Sequence, residues 1–161
     1  MHATRIDTIT ALGQQLVQQG YMLATAESCT GGLIGAACTD VPGSSAWFCG
    51  GVIAYANDVK TAVLQVPATT LLAHGAVSEA TVRAMVLGVC ALTKAQVGVA
   101  VSGIAGPDGG SAEKPVGTVW FGFAVRGVVT TQRMLFEGDR QRVRDAAVGH
   151  ALTTLVHLTR P

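Results

Sequence analysis

Met22-Leu23-Ala24-Thr25-Ala26-Glu27-Ser28-Cys29-Thr30-Gly31-Gly32-Leu33 passes from an apolar run, through small polar residues and two glycines, into a helical pattern that continues to Thr39. Residues 22–26 read as a buried strand and 33–39 as a helix, so Ser28 stands on a strand-to-helix turn. A small nucleophile followed by glycines at such a turn is exposed beside backbone N–H groups that converge on one point, where developing negative charge is stabilised. The same six residues, 27–32, also fit a plain phosphate-gripping loop. The rest of the chain has to separate chemistry from binding.

Outward from this unit, apolar residues at three- to four-residue spacing (Ile6, Ile9, Leu12, Leu16, Val17) predict a first helix that Gly20 closes. Asp40-Val41-Pro42-Gly43 stops the second helix. Residues 47–56 read as a second strand, in which Gly50-Gly51 suggests a bulge or a close backbone approach. Asn57 or Asp58 is the expected cap of a short helix through Leu64, Pro67 starts another that ends near His74-Gly75, and Ser78 caps a longer one to about Lys94. A strand at 96–101 leads into a glycine-rich stretch, 102–110. Strands at 117–125 and 128–136 flank Arg126-Gly127, a link short enough only for antiparallel neighbours, and Asp139 caps a closing helix to about Leu158. The order predicts a three-layer α/β/α domain with a mixed, mostly parallel sheet and helices on both faces, with residues 1–161 forming one domain.

The 161 residues are enough to bury a sizeable core without disulfides or metals. A mean hydropathy of +0.42 is high, but the apolar residues are mostly Ala and Val, and no run approaches the roughly 18 residues of a membrane span. A soluble protein with some apolar surface left for a partner subunit is expected. Eleven basic against ten acidic residues, with no block of like charge, argue against a nucleic-acid groove. Cys29, Cys38, Cys49 and Cys90 show neither CxxC spacing nor a nearby histidine pattern, so the expectation is no metal, no cofactor and no disulfide framework, in a reducing cytoplasm. The N-terminus lacks the basic-then-apolar pattern of a signal peptide.

A serine nucleophile needs a base. His2 lies in a terminal tail, His74 precedes a turn, and His150 and His157 sit on the last helix, none of them placed by sequence near a catalytic loop. The better base is Lys60, one of only three lysines, in Tyr55-Ala56-Asn57-Asp58-Val59-Lys60. A lysine in an apolar pocket has its pKa lowered, and the neutral amine can take a serine proton while Tyr55 relays or orients it. On spacing alone the commoner reading is that Lys60 is a solvated helix residue and Tyr55 an amphipathic strand end. Stretch 102–110 can present backbone N–H groups to a phosphate or can be a permissive surface hairpin; it is neither a P-loop nor a dinucleotide fingerprint. Arg140, Arg142 and Arg144 at the start of the last helix oppose its dipole, so an anion partner or a solvated face accounts for them. Cys29 is a rival nucleophile that lacks an adjacent positive charge.

Ala26-Glu27-Ser28-Cys29-Thr30-Gly31-Gly32, Pro42-Gly43-Ser44-Ser45, the Tyr55 to Lys60 string, His74-Gly75-Ala76-Val77-Ser78, the run from Ser102 to Gly110 and Lys114-Pro115-Val116-Gly117-Thr118-Val119 closely resemble the C-terminal domain of the competence/damage-inducible protein CinA, over about residues 6–158. The resemblance is to stand-alone members of that family. It implies a nicotinamide-nucleotide amidohydrolase that converts nicotinamide mononucleotide and water to nicotinic acid mononucleotide and ammonia, with the family's serine on Ser28, its tyrosine on Tyr55 and its general-base lysine on Lys60. Ala56 departs from the serine found in many relatives. On this reading the N–H groups around Thr30, Gly31 and Gly32 hold the oxyanion. Asn57, Ser102, Gly103, Gly106 and Arg140 are the further candidates for holding the small-molecule nucleotide, with Arg144 an alternative for its phosphate. A homodimer or larger homo-oligomer is implied, with no nucleic acid and no membrane as partner. A non-catalytic nucleotide-binding or scaffold module stays open beside this reading, as does an amidase for a related small amide.

Overall fold

The structure, a computed structural model describing residues 4–161, runs α1 (Arg5–Gln19), β1 (Leu23–Glu27), α2 (Leu33–Cys38), a 3-10 turn (Ser44–Ala46), β2 (Phe48–Ile53), α3 (Asn57–Ala62), α4 (Ala68–His74), α5 (Glu79–Thr93), β3 (Val97–Gly103), β4 (Thr118–Val125), β5 (Val128–Leu135) and α6 (Arg140–Leu158). His2 lies outside the described residues. One sheet orders the strands β2-β1-β3-β4-β5. β1 pairs parallel with β2 and β3, and β4 pairs antiparallel with β3 and β5, so β4 alone runs against the others. The turn between β4 and β5 has positive φ at both Arg126 and Gly127, the conformation that matches the twist of a two-residue hairpin.

The two faces of the sheet are built differently. Leu23, Val97, Val99, Val101, Phe121 and Phe123 pack against Leu12 and Leu16 of α1 and Val148, Leu152 and Leu155 of α6. The other face presents Ala24, Ala26, Ala100 and Ala124 to Val82, Met85, Val86 and Val89 of α5. Small residues there let α5 come close: a Cβ at Gly122 would sit 2.6 Å from the Val82 carbonyl oxygen. These two layers flank the sheet, and the carboxyl ends of β1, β2 and β3 lie at one end of it, where ligands of parallel sheets bind.

Several boundaries differ from the sequence reading. Trp47 belongs to the end of the 3-10 turn, buried against Gly13 of α1, and β2 starts at Phe48. The register of β2 on β1 skips Cys49, which is the bulge that Gly50-Gly51 suggested, and a Cβ on Gly51 would run into the Thr25 hydroxyl. The cap of α3 is Ala56, with no side-chain hydrogen bond, rather than Asn57 or Asp58, because the helix starts one residue earlier and Asn57 is already in it. Ser102 and Gly103 end β3 rather than opening the glycine-rich loop. Gly103 fits there because it lacks a Cβ, which would meet Val119 at 2.7 Å and the Cys29 sulfur at 3.1 Å.

Candidate active site

Ser28 directly follows β1, and its amide donates to the Val101 carbonyl of β3 at 3.0 Å. The preceding residue fixes the turn. Glu27 is 1% exposed, and its carboxylate accepts from the Thr30 hydroxyl at 2.7 Å and from the Ile34 and Gly35 amides at 2.8 and 2.9 Å. A carboxylate at the start of α2 satisfies otherwise orphaned helix amides and meets the positive end of the helix dipole. Gly31 and Gly32 have φ of 59° and 100°, in the left-handed region that side chains resist, so the chain can reverse within one turn. The Gly31 amide donates back to the Ser28 carbonyl at 3.0 Å.

Lys60, in α3, is 1% exposed, and its Nζ lies 3.0 Å from Ser28 Oγ and 3.0 Å from the main-chain carbonyl of Tyr55, to which it donates. The ion pairs among the described residues are Arg5–Asp145 and Arg83–Glu79, so no carboxylate balances Lys60. Burial pushes its pKa below the ordinary 10.5, which makes the amine easier to deprotonate than a solvated lysine. Cys29 is driven the other way: burial pushes its thiol up to about 11, leaving it protonated and unsuited as the nucleophile.

These groups open into a pocket of about 210 Å³ lined by Ser28, Lys60, Tyr55, Asn57, Ser102 and Arg140, with Cys29, Gly103, Ala105, Ala76 and Val77 completing its wall. Ser102 Oγ, buried in this wall, is the one buried side-chain polar atom without a hydrogen-bond partner among the described residues. Arg140 bridges the rim, donating to the Gly106 carbonyl at 2.9 Å and to the Tyr55 hydroxyl at 3.2 Å. The phenol of Tyr55 therefore points to Arg140, while its backbone carbonyl is what touches Lys60.

Of the residues singled out in the sequence, Ser28, Tyr55, Lys60, Asn57, Ser102, Gly103 and Arg140 meet at this pocket. Thr30, Gly31 and Gly32 shape the turn behind it, and Gly106 lies outside the lining with its carbonyl bound by Arg140. His74 and His157 do not line it, and His150 packs on Phe121 with its Nε2 2.7 Å from Gln132. Three contributors were not assigned from sequence. Glu27 had one signal, an acid immediately before a helix-opening turn. Ala76 and Val77 had none beyond their place in a quoted motif. Arg144, weighed there as a phosphate ligand, donates instead to the Cys29 carbonyl at 3.0 Å and the Thr30 carbonyl at 3.4 Å.

The family model of the CinA C-terminal domain matches residues 6–159. A nicotinamide-nucleotide amidohydrolase PncC of Enterobacter agglomerans is 54% identical over 144 residues, covering 89% of this chain and 88% of that protein. The protein of the same description from Escherichia coli K12 is 51% identical over 145 residues, at the same coverage. Among solved structures, a CinA superfamily protein from Klebsiella pneumoniae superposes with a TM-score of 0.93 at 41% identity, covering 98% of both chains.

Proposed function

This chain belongs to the CinA C-terminal domain family, and we propose that it is a serine-lysine amidohydrolase that deamidates nicotinamide mononucleotide to nicotinic acid mononucleotide and ammonia, with residues 1–161 acting as one catalytic domain. The observation that carries the reading is the 3.0 Å approach of a buried, uncompensated Lys60 amine to the Ser28 hydroxyl. A proton transfer needs a heavy-atom separation of about 2.6–3.2 Å and a base whose pKa lies near the working pH; desolvation of Lys60 acts in that direction.

Neutral Lys60 takes the Ser28 proton as Oγ attacks the carboxamide carbon. The resulting oxyanion is received by the Cys29 and Thr30 amides of the turn, not by that of Gly31 as the sequence suggested, because the Gly31 amide is already bound to the Ser28 carbonyl and the Ser28 amide to that of Val101. The tetrahedral carbon collapses, the C–N bond breaks, and the Lys60 ammonium returns the proton to the leaving nitrogen, which departs as ammonia. Water, activated by the amine again, then cleaves the ester and frees the acid and Ser28. Tyr55 assists in two ways: its carbonyl holds the Lys60 amine on the serine, and its phenol sets Arg140 at the rim. The unpartnered Ser102 hydroxyl and Gly103 face the ring and amide, while Asn57, Arg140 and the loop at Gly106 hold ribose and phosphate at the mouth. A pocket of about 210 Å³ favours this division, with the ring inside and the phosphate outside.

Ammonia release from nicotinamide mononucleotide, compared with free nicotinamide, tests the assignment. The nucleotide is expected to be turned over and strongly preferred. Binding without release would support a scaffold module, and equal turnover of both would point to a general small-amide hydrolase.

A further inference from the structure

Arg144 reaches from α6 across to the nucleophile turn, and its guanidinium donates to two successive carbonyls there: Nε to Cys29 at 3.0 Å and Nη2 to Thr30 at 3.4 Å. It takes part in neither of the ion pairs among the described residues, and it does not line the pocket. Gly31 lies directly under it, since a Cβ at Gly31 would be 3.4 Å from Nη2. We infer that Arg144 is a positioning residue that fixes the peptide planes following Ser28, and so aims the turn's amides, rather than a ligand of the substrate phosphate. This rests on the amidohydrolase reading above.

The geometry works through peptide planarity. In a trans peptide the N–H points opposite to the C=O. Drawing the Cys29 carbonyl to Arg144 therefore turns the Thr30 N–H away from α6. Drawing the Thr30 carbonyl the same way accords with the Gly31 N–H being turned back onto the Ser28 carbonyl at 3.0 Å. Two peptide rotations are thus set by one planar fork, which a flexible point charge such as lysine cannot reproduce. A charged donor on a carbonyl also polarises the amide it belongs to, strengthening the Thr30 N–H as a donor. Glu27 pins the same turn from the opposite end through the Thr30 hydroxyl.

The experiment compares Arg144→Ala and Arg144→Gln with wild type on nicotinamide mononucleotide. The expected result is a kcat lowered by about ten- to a hundredfold, below the roughly 10²–10³ lost with a whole oxyanion donor, at unchanged KM. Guanidinium chloride, far below denaturing concentrations, should restore part of kcat in Arg144→Ala, and equal sodium chloride should not. Arg144→Gln, which keeps one donor, covers the case in which Ala does not fold. A rise in KM at constant kcat, or wild-type kinetics in both variants, would overturn the inference. Backbone hydrogen exchange gives an arm that needs no substrate: positioning predicts faster exchange across 28–33 in the variants with β1 and β3 unchanged, and unaltered exchange there overturns it. Wild type that releases no ammonia would refute the amidohydrolase reading, with the exchange result still deciding the role of Arg144.

Discussion

The Nζ of Lys60 lies 3.0 Å from the Oγ of Ser28, although the two are brought together from different layers, one from α3 and one from the end of β1. Lys60 is held there by the Tyr55 carbonyl at 1% exposure, with no carboxylate partner among the described residues. A buried lysine without a counterion costs stability as long as it carries charge. The fold tolerates this group where a base is useful.

The first consequence concerns pH. Lys60 has a folded pKa below its ordinary 10.5, so between the two values the unfolded chain binds more protons than the folded one. Stability therefore rises with pH across that window and is flat with respect to Lys60 below it. Urea titrations across the window should show this rise in wild type and its loss in Lys60→Met. In kinetics, kcat/KM should climb with pH through the lowered pKa and then level off. Lys60→Arg, which cannot deprotonate, should lose at least about 10³ in kcat at every pH.

Tyr55 offers a way to separate main chain from side chain. The residue is 61% exposed, and among the described residues its hydroxyl bonds only Arg140, so Tyr55→Phe leaves the carbonyl contact to Lys60 in place. The loss of one hydrogen bond at the rim predicts about a three- to tenfold rise in KM with kcat changed by less than about twofold. Steady-state kinetics check it, and a large fall in kcat would mean that the phenol takes part in proton transfer.

Glu27 is the main structural support of the turn. Glu27→Ala would strand the buried Thr30 hydroxyl and Ile34 amide and the half-buried Gly35 amide, at a cost of about 3 kcal/mol. Chemical denaturation should read that loss. Glu27→Gln, which keeps oxygen and shape but lacks the charge, should fall between the two.

The sequence made most of the architecture legible because its signals were local. Gly20, Asp139 and Ser78 mark helix ends by their own caps, and Arg126-Gly127 marks the hairpin by its brevity. Where boundaries missed, tertiary packing decided. Trp47 has strand propensity but is drawn under Gly13, and Ser102-Gly103 look like loop but pair with Trp120 and Val119. Within the site, Ser28 and Lys60 were readable from residue chemistry and family resemblance, while their separation of 3.0 Å depends on β1, β2 and α3 together. Arg140 and Arg144 look alike in the sequence, and only the path of α6 sends one to Tyr55 and Gly106 and the other to the Cys29 and Thr30 carbonyls.

The measurement closest to the central claim is ammonia release from nicotinamide mononucleotide by wild type and by Ser28→Ala, with the folded state of both confirmed. Ser28 as the nucleophile predicts that wild type forms ammonia and nicotinic acid mononucleotide in equal amounts and that Ser28→Ala loses at least about 10³ of the rate. A Ser28→Ala protein that releases ammonia at the wild-type rate would contradict the account.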